Sequence, residues 1–470
     1  MLLLRVHVVV EEAEQRHITN QALLRDLNLI RKEMYIGCHA LDVFRCRDHH
    51  KETARDDQGQ AESSSSTPSR FNPAKRLCFR GGTGSSEQER LHEVLGRLEA
   101  TIRDASELFV LLSGCPRRCR QPYSMYLLLD NCMFSRHMEM ERLMGFLLQE
   151  DASSGDSGAE NPPAVLPVIG PGRVGKTTII EHACNDERVR SHFSQIMRFS
   201  QDSIRDVKTI ATLGDCSVIK LHNHNRAVGG ERTLVIIELT GDIDEHVWAK
   251  LYSDCTHQVA TGSKIIVASR SDKIANLGTT QPLTVQSFAE EAYWYFFKVR
   301  TFGSADVKDH PKVASIAMDL AREINGCFFS ASVFSRLLKD NFDAHFWSMA
   351  LGIAREFKRK NLLLFGADFV DLWQVVDPVF VRRASNTSSE YFVILDDYQT
   401  VSQSIEGPQM NIRDLIFGNN NDVKRLRGRF KVLAWRSHIP PHYSYMMTCE
   451  VRRPQRMLSS RKKRIQQIAR

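Results

Sequence analysis

The stretch VLPVIGPGRVGKTTIIEHAC, Val165 to Cys184, constrains this chain more than any other. An apolar run leads into a glycine-rich turn, and a helix-forming segment follows. The turn, Gly170-Pro-Gly-Arg-Val-Gly-Lys-Thr, fits G-x-x-x-x-G-K-[ST]. Glycines let the backbone bend sharply, so that successive N–H groups point inward and form an anion nest. The helix that follows aims its positive end at the same place. Lys176 is the point charge for the outer phosphates of a nucleotide, and the hydroxyl of Thr177 is a ligand for Mg²⁺. The candidate nucleotide-binding residues are therefore Gly170, Gly172, Arg173, Val174, Gly175, Lys176, Thr177 and Thr178. The competing reading is a loop that keeps the shape and has lost the ligand.

Short apolar runs alternate with helical segments from Val165 onward. Val165–Ile169, Ile196–Phe199, Leu234–Leu239 and Lys264–Ala268 read as strands. Such alternation predicts a parallel sheet with helices on both faces, an α/β P-loop NTPase core. The flanks differ. Residues 1–50 read as helix, with Leu23, Leu27, Ile30, Met34 and Leu41 at helical spacing. Residues 51–87 are polar and rich in Ser and Pro, hence a loop. A second apolar stripe runs through Leu91, Leu95, Leu98, Ile102, Ala105, Leu108 and Leu112, and Gly114 and Pro116 end it. These stripes are the core of a small antiparallel bundle, with a self-association face as the alternative. A helix over Met138–Glu150 precedes the linker DASSGDSGAENPP. The chain is helical again from about Asp309 to Lys360. Beyond it, EYFVILDDYQTV and RFKVLAWRSHI read as strands of a C-terminal mixed α+β region. The basic stretch from Arg452 reads as a solvated tail, with nuclear targeting or an anionic surface as the other uses.

Composition narrows the function classes. With 470 residues, the chain has room for about three domains. A net charge of +7 permits acidic partners but does not call for nucleic acid. Eleven scattered cysteines suit a reducing compartment better than a disulfide framework. Cys115 and Cys119 lack a second ligand pair, and His222 and His224 lack acidic or Cys company, so both sets read as non-ligands. The apolar start is interrupted by Arg5 and His7 and does not read as a secretory signal. No apolar run approaches the roughly 20 residues that cross a bilayer. A soluble, cytoplasmic protein is expected, with the nucleus as a second location. The abrupt helical start suggests a shortened N-terminus.

Further segments extend the pattern of the loop. ERTLVIIEL places an acid at a strand end, and GSKIIVASRSDKIANLG places Arg270 after a strand. FAEEAYWYFFKVRTFGS, AREINGCFFSASVFSRLL and, ahead of the loop, MFSRHMEMERLMGFLL complete an ordered series. In this order the segments resemble the nucleotide-binding domain of plant disease-resistance proteins, the NB-ARC class of signal-transducing P-loop ATPases. The resemblance covers about residues 1–360, and the N-terminal helices are similar to the coiled-coil domain of such receptors. It implies a coiled-coil-like domain at 1–150 with a disordered loop at 51–87, a linker at 151–164 and a nucleotide-binding domain at 165–305. A helical subdomain at 306–360 and an uncharacterised region at 361–470 complete the chain. ADP or ATP with Mg²⁺ is the implied cofactor, and Arg270 is implied to read the terminal phosphate. The partners implied are a second copy of the chain or partner helices, through the N-terminal helices. No leucine-rich repeat is recognisable.

Departures from that pattern qualify the chemistry. Glu238, paired with Thr177 as the candidate metal site, stands where an Asp is usual, and Leu239 replaces the second acid. Metal binding is expected to survive and activation of water to suffer. Asp396 and Asp397 in FVILDD are a weaker rival, read as an acidic turn after a strand. Arg173 stands where the family has Gly, with its side chain pointing outward or reaching a phosphate. Cys327 and Phe328 replace the residues around the family's proline, and a Met-His-Asp motif is missing after residue 360. An ADP/ATP-binding switch or scaffold with weak or no hydrolysis follows. An active P-loop ATPase or kinase and a nucleotide-free adaptor are the alternatives.

Overall fold

The computed structural model describes residues 1–59, 84–117, 134–149, 162–200, 217–220, 232–239, 241–324, 326–365, 379–382, 391–400, 410–418, 428–436 and 444–452. The fold divides into two compact units. One comprises Met1–Tyr123, Ala289–Asn325 and Ala331–Phe357; the other comprises Ser124–Phe288, Gly326–Ser330 and Lys358–Arg470.

The second unit holds a six-stranded sheet. Its strands are β1 (Ala164–Ile169), β2 (Gln195–Ser200), β3 (Ser217–Lys220), β4 (Thr233–Glu238), β5 (Lys264–Ser269) and β6 (Leu283–Thr284), in the order β3-β2-β4-β5-β1-β6. Five strands are parallel, and β3 closes one edge antiparallel to β2. The four strands expected from the sequence agree with these bounds within one residue at each end; Leu239 falls just past β4. β3 and β6 are additions: four and two residues long, they are too short for a periodicity signal.

Both sheet faces are buried, as crossover helices require. Leu166, Val168, Leu234, Ile236, Ile266 and Ala268 face α4 (His137–Leu148), α5 (Lys176–Cys184) and α6 (Glu187–His192). The alternate residues Val165, Ile169, Val235, Ile237, Ile265 and Val267 face α7 (Glu245–Gln258) through Trp248 and Cys255. The chain reaches β2, β4 and β5 on one side of β1 and β6 on the other. The carboxyl end of β1 is thus a switch point, where open α/β sheets bind ligands. The same unit carries a second, five-stranded sheet, formed by β7 (Val379–Arg382), β8 (Tyr391–Thr400), β9 (Met410–Asn411), β10 (Arg429–Arg436) and β11 (Ser444–Arg452), in the order β7-β8-β11-β10-β9.

The first unit is helical. The helix expected over residues 1–50 is two: α1 (Leu2–Glu14) and α2 (Gln21–Gly59), separated by a turn in which Arg16 bonds Glu12 and the carbonyls of Ser113 and Cys115. Both ends of the segment expected as a loop at 51–87 are helical, and residues 60–83 lie outside the described residues. α2 continues to Gly59, and α3 (Gly84–Ser113) begins before residue 87. A polar, charged run is compatible with helix where Lys, Glu, Ala and Arg dominate, as in KETARD. Most of the two stripes lies in the core. Leu23, Leu27, Ile30, Met34, Leu98, Ala105, Leu108 and Leu112 are buried, whereas Leu95 is exposed.

The unit also contains α8 (Glu290–Phe302), α9 (Pro311–Glu323), most of α10 (Phe328–Asp340) and most of α11 (Ala344–Phe365). Asp42 of α2, buried, accepts from Trp294 Nε1 at 3.0 Å and Lys298 Nζ at 2.6 Å, both on α8. A buried carboxylate is tolerated only when paired and hydrogen-bonded, and these two donors provide that.

Candidate functional site

The phosphate loop joins β1 to α5, as its pattern predicts. Gly170 has φ +151 and lies against β6: a Cβ there would meet the Val285 carbonyl oxygen at 2.1 Å. Only glycine fits both conditions. Gly175, at φ +95, is the N-cap of α5. Gly172 is buried, and Val174 sits in the apolar core beneath the loop, which pins the turn from inside. Thr177 and Thr178 are half-buried in the first turn of α5.

Lys176 folds along the loop, its Nζ donating to the carbonyls of Gly170 at 2.6 Å and Pro171 at 2.7 Å. Burial pulls its pKa down to about 8, helped by the positive charge of Arg270 and opposed by Glu238. Arg270 therefore stands within electrostatic reach of the loop. The turn that carries it is held by Ser269, which donates to the Gly241 carbonyl and accepts from the Ser271 amide.

Glu238 ends β4 on the α5 face of the sheet. Burial pushes its pKa up, and a hydrogen bond with Thr177 and the charges of Arg198 and Lys176 pull it back. Its Oε1 is buried and has no hydrogen-bond partner. A hydroxyl and a carboxylate set together, one oxygen still unsatisfied, form a hard oxygen donor set that suits Mg²⁺ held partly through water. Leu239 is buried in the apolar cluster on the opposite face, so the position after Glu238 supplies no carboxylate.

Arg173 is the one loop residue whose placement the sequence did not anticipate. It adopts φ +61, rare for a residue with a side chain. Its guanidinium lies over the Phe329 ring, 4.8 Å from the centroid, rather than pointing outward.

Two further arginines serve the loop. Arg136, buried, donates to the Gln286 carbonyl at 2.5 Å and the Val174 carbonyl at 3.4 Å, pairs with Glu139, and stacks 4.3 Å from the Phe288 centroid. Burial pulls its pKa down, and Glu139 opposes this. Arg198 of β2 pairs with Glu181, which is buried one turn beyond Thr177 on α5. A lone charge within QIMRFS was the available signal for Arg198, because a strand buried on both faces otherwise excludes it.

The remaining candidates fall elsewhere. Asp396 and Asp397 do not follow a strand: they lie inside β8, paired with Thr448 and Met447 of β11. Antiparallel pairing carried the strand through the acidic pair that the sequence suggested would end it. His222, His224 and Cys119 lie outside the described residues. Cys115 is a free thiol, and no cluster of three or more metal-ligating side chains occurs among the described residues. Cys327 is buried, its sulfur accepting from the Ser330 amide. No helix among the described residues is long and apolar enough to cross a membrane.

Comparison with known proteins agrees with this geometry. Residues 136–306 match the NB-ARC domain family. "Disease resistance protein RGA2" of Solanum bulbocastanum is 22% identical over 346 residues, covering 71% of this chain and 33% of the relative. "Putative disease resistance RPP13-like protein 1" of Arabidopsis thaliana is 25% identical over 355 residues, covering 72% and 32%. The chain spans about a third of the length of these curated relatives. The motif series, the strand order and the loop geometry thus converge on one conclusion: this chain carries an NB-ARC domain and is related to the plant disease-resistance proteins.

Proposed function

We propose that the chain is an ADP- or ATP-binding signalling switch or scaffold in plant defence, with weak or no hydrolysis. The observation that carries this reading is the loop itself. Gly170 and Gly175 bend the backbone, Lys176 lines it, and α5 begins beneath it. Gly170, Gly172, Arg173, Val174, Gly175, Lys176, Thr177 and Thr178 are the residues assigned to the phosphates, with Arg270 at the terminal one. Thr177 and Glu238 are the residues that would hold Mg²⁺, whose bound charge would neutralise phosphate oxygens. A buried leucine rather than a second acid beside Glu238 supports slow or no turnover, since Leu239 cannot activate water. Nucleotide state would bias a bistable element of the chain, and the N-terminal helices would report it to a second copy or a partner helix. A soluble cytoplasmic location belongs to the same proposal.

The test begins with ligand. Nucleotide released on denaturing the purified chain is identified by chromatography, and ADP is the expected species. Excess ADP at a hundred times Kd should stabilise the fold by about 2.7 kcal/mol, and Lys176→Ala should remove that gain. No released nucleotide and no stabilisation would favour the adaptor reading instead. Phosphate release at several turnovers per second would favour an active ATPase.

A further inference from the structure

The phosphate loop is tied to the C-terminal sheet by a file of packed side chains. Arg173 holds a left-handed conformation that costs a side-chain-bearing residue free energy, so neighbouring structure must maintain it. One contact that does so is the cation–π contact with Phe329, a residue only 8% exposed. Phe329 in turn lies 5.8 Å from the Tyr445 ring of β11. Tyr445 lies 5.3 Å from Trp435 of β10, its cross-strand partner. Four side chains thus lead from the tip of the loop into the second sheet. On the other flank Arg136 grips the Val174 carbonyl and stacks on Phe288, and Phe288 packs edge-on to Phe328 at 5.0 Å. The loop is held from two sides through the adjacent residues Phe328 and Phe329.

We infer that Arg173 is a positioning residue through which the C-terminal sheet sets the rigidity of the phosphate loop. The cation–π contact with Phe329, which Tyr445 backs from β11, keeps residue 173 left-handed, and the loop amides stay turned inward as an anion nest. Displacing β10 and β11 releases Phe329, loosens the loop and speeds nucleotide release. The link to nucleotide rests on the function proposed above; the link between sheet and loop does not.

Amide hydrogen exchange of the Ile169–Thr178 peptide in the full chain tests the inference without ligand. Phe329→Leu should raise exchange there by about tenfold, the value of a partly desolvated cation–π contact, and Tyr445→Ala, which removes the support of Phe329, should raise it in the same direction. Phe329→Tyr, which keeps the ring face, should restore the wild-type rate. In Arg173→Gly, which tolerates the left-handed conformation without a side-chain anchor, Tyr445→Ala should add nothing. Unchanged loop exchange in both Tyr445→Ala and Phe329→Leu, or an equal rise in the wild-type and Arg173→Gly backgrounds, would overturn the coupling. Should Tyr445→Ala not fold, Phe329→Leu against Phe329→Tyr decides the matter alone. Release of a fluorescent ADP analogue should quicken about tenfold in the same variants. A chain that binds no ADP yet shows the exchange pattern would refute the switch and leave the coupling standing.

Discussion

Two residues of the loop show how local chemistry and tertiary contact combine. Gly170 is required twice over, by its positive φ and by the Val285 carbonyl that a Cβ would strike. Gly170→Ala is expected to cost about 3 kcal/mol, because the clash is with backbone that cannot rotate away. Urea unfolding measures it, and a midpoint equal to wild type would refute the close approach. Lys176 makes a pH-dependent prediction. Its folded pKa of about 8 lies below the unfolded value near about 10.4. Between these two values the unfolded chain binds the extra proton, so stability rises with pH. Lys176→Met, which carries no charge to bury, should therefore be more stable than wild type near neutrality. That advantage should shrink as pH rises from about 8 to about 10. Nucleotide affinity should move the opposite way, falling above about pH 8 as the free lysine loses its charge. An advantage that stays constant across this range would show that Lys176 is not desolvated.

Among the elements, α4 illustrates a support that periodicity does not reveal. Its last carbonyls, those of Phe146 and Gln149, accept from Lys264 Nζ at 2.6 and 2.5 Å. Lys264 is itself 2% exposed and opens β5. A cation at a helix C-terminus meets both the unpaired carbonyls and the negative end of the dipole. Lys264→Met should cost about 1–3 kcal/mol, because it removes a charged donor from two carbonyls at the end of that helix. Equilibrium unfolding reads the loss, and a change under about 0.5 kcal/mol would mean water replaces the lysine. The sequence presents Lys264 only as the first residue of an apolar strand. Its burial became visible once α4 was seen to end above it. The long helices carry a related lesson. The stripes of α2 and α3 were legible from their spacing, but the position of Asp42 was not, because its partners Trp294 and Lys298 lie some 250 residues away.

At the scale of the whole molecule, the cysteines report on compaction. Burial pushes the thiols of Cys184, Cys255 and Cys449 up to about 12 and that of Cys46 up to about 11. A thiol this protonated reacts poorly near neutral pH, where the thiolate is the nucleophile. Alkylation followed by mass spectrometry should leave all four unmodified until denaturant unfolds the chain. Because Cys46 belongs to one unit and the other three to the other, the denaturant dependence also reads the two units separately. Modification of Cys255 or Cys184 in the native chain would contradict the packed sheet faces. The larger division of labour follows from the range of the forces involved. Local sequence determined the loop, four of the five parallel strands and the amphipathic helices, because backbone conformation and periodic burial depend on neighbours a few residues apart. It also carried the motif order that relates the chain to the disease-resistance proteins. Tertiary structure alone decided that Arg173 lies over Phe329 and that Arg198 meets Glu181. Those outcomes depend on which distant surfaces exclude water together, and burial between distant segments leaves no trace in local spacing.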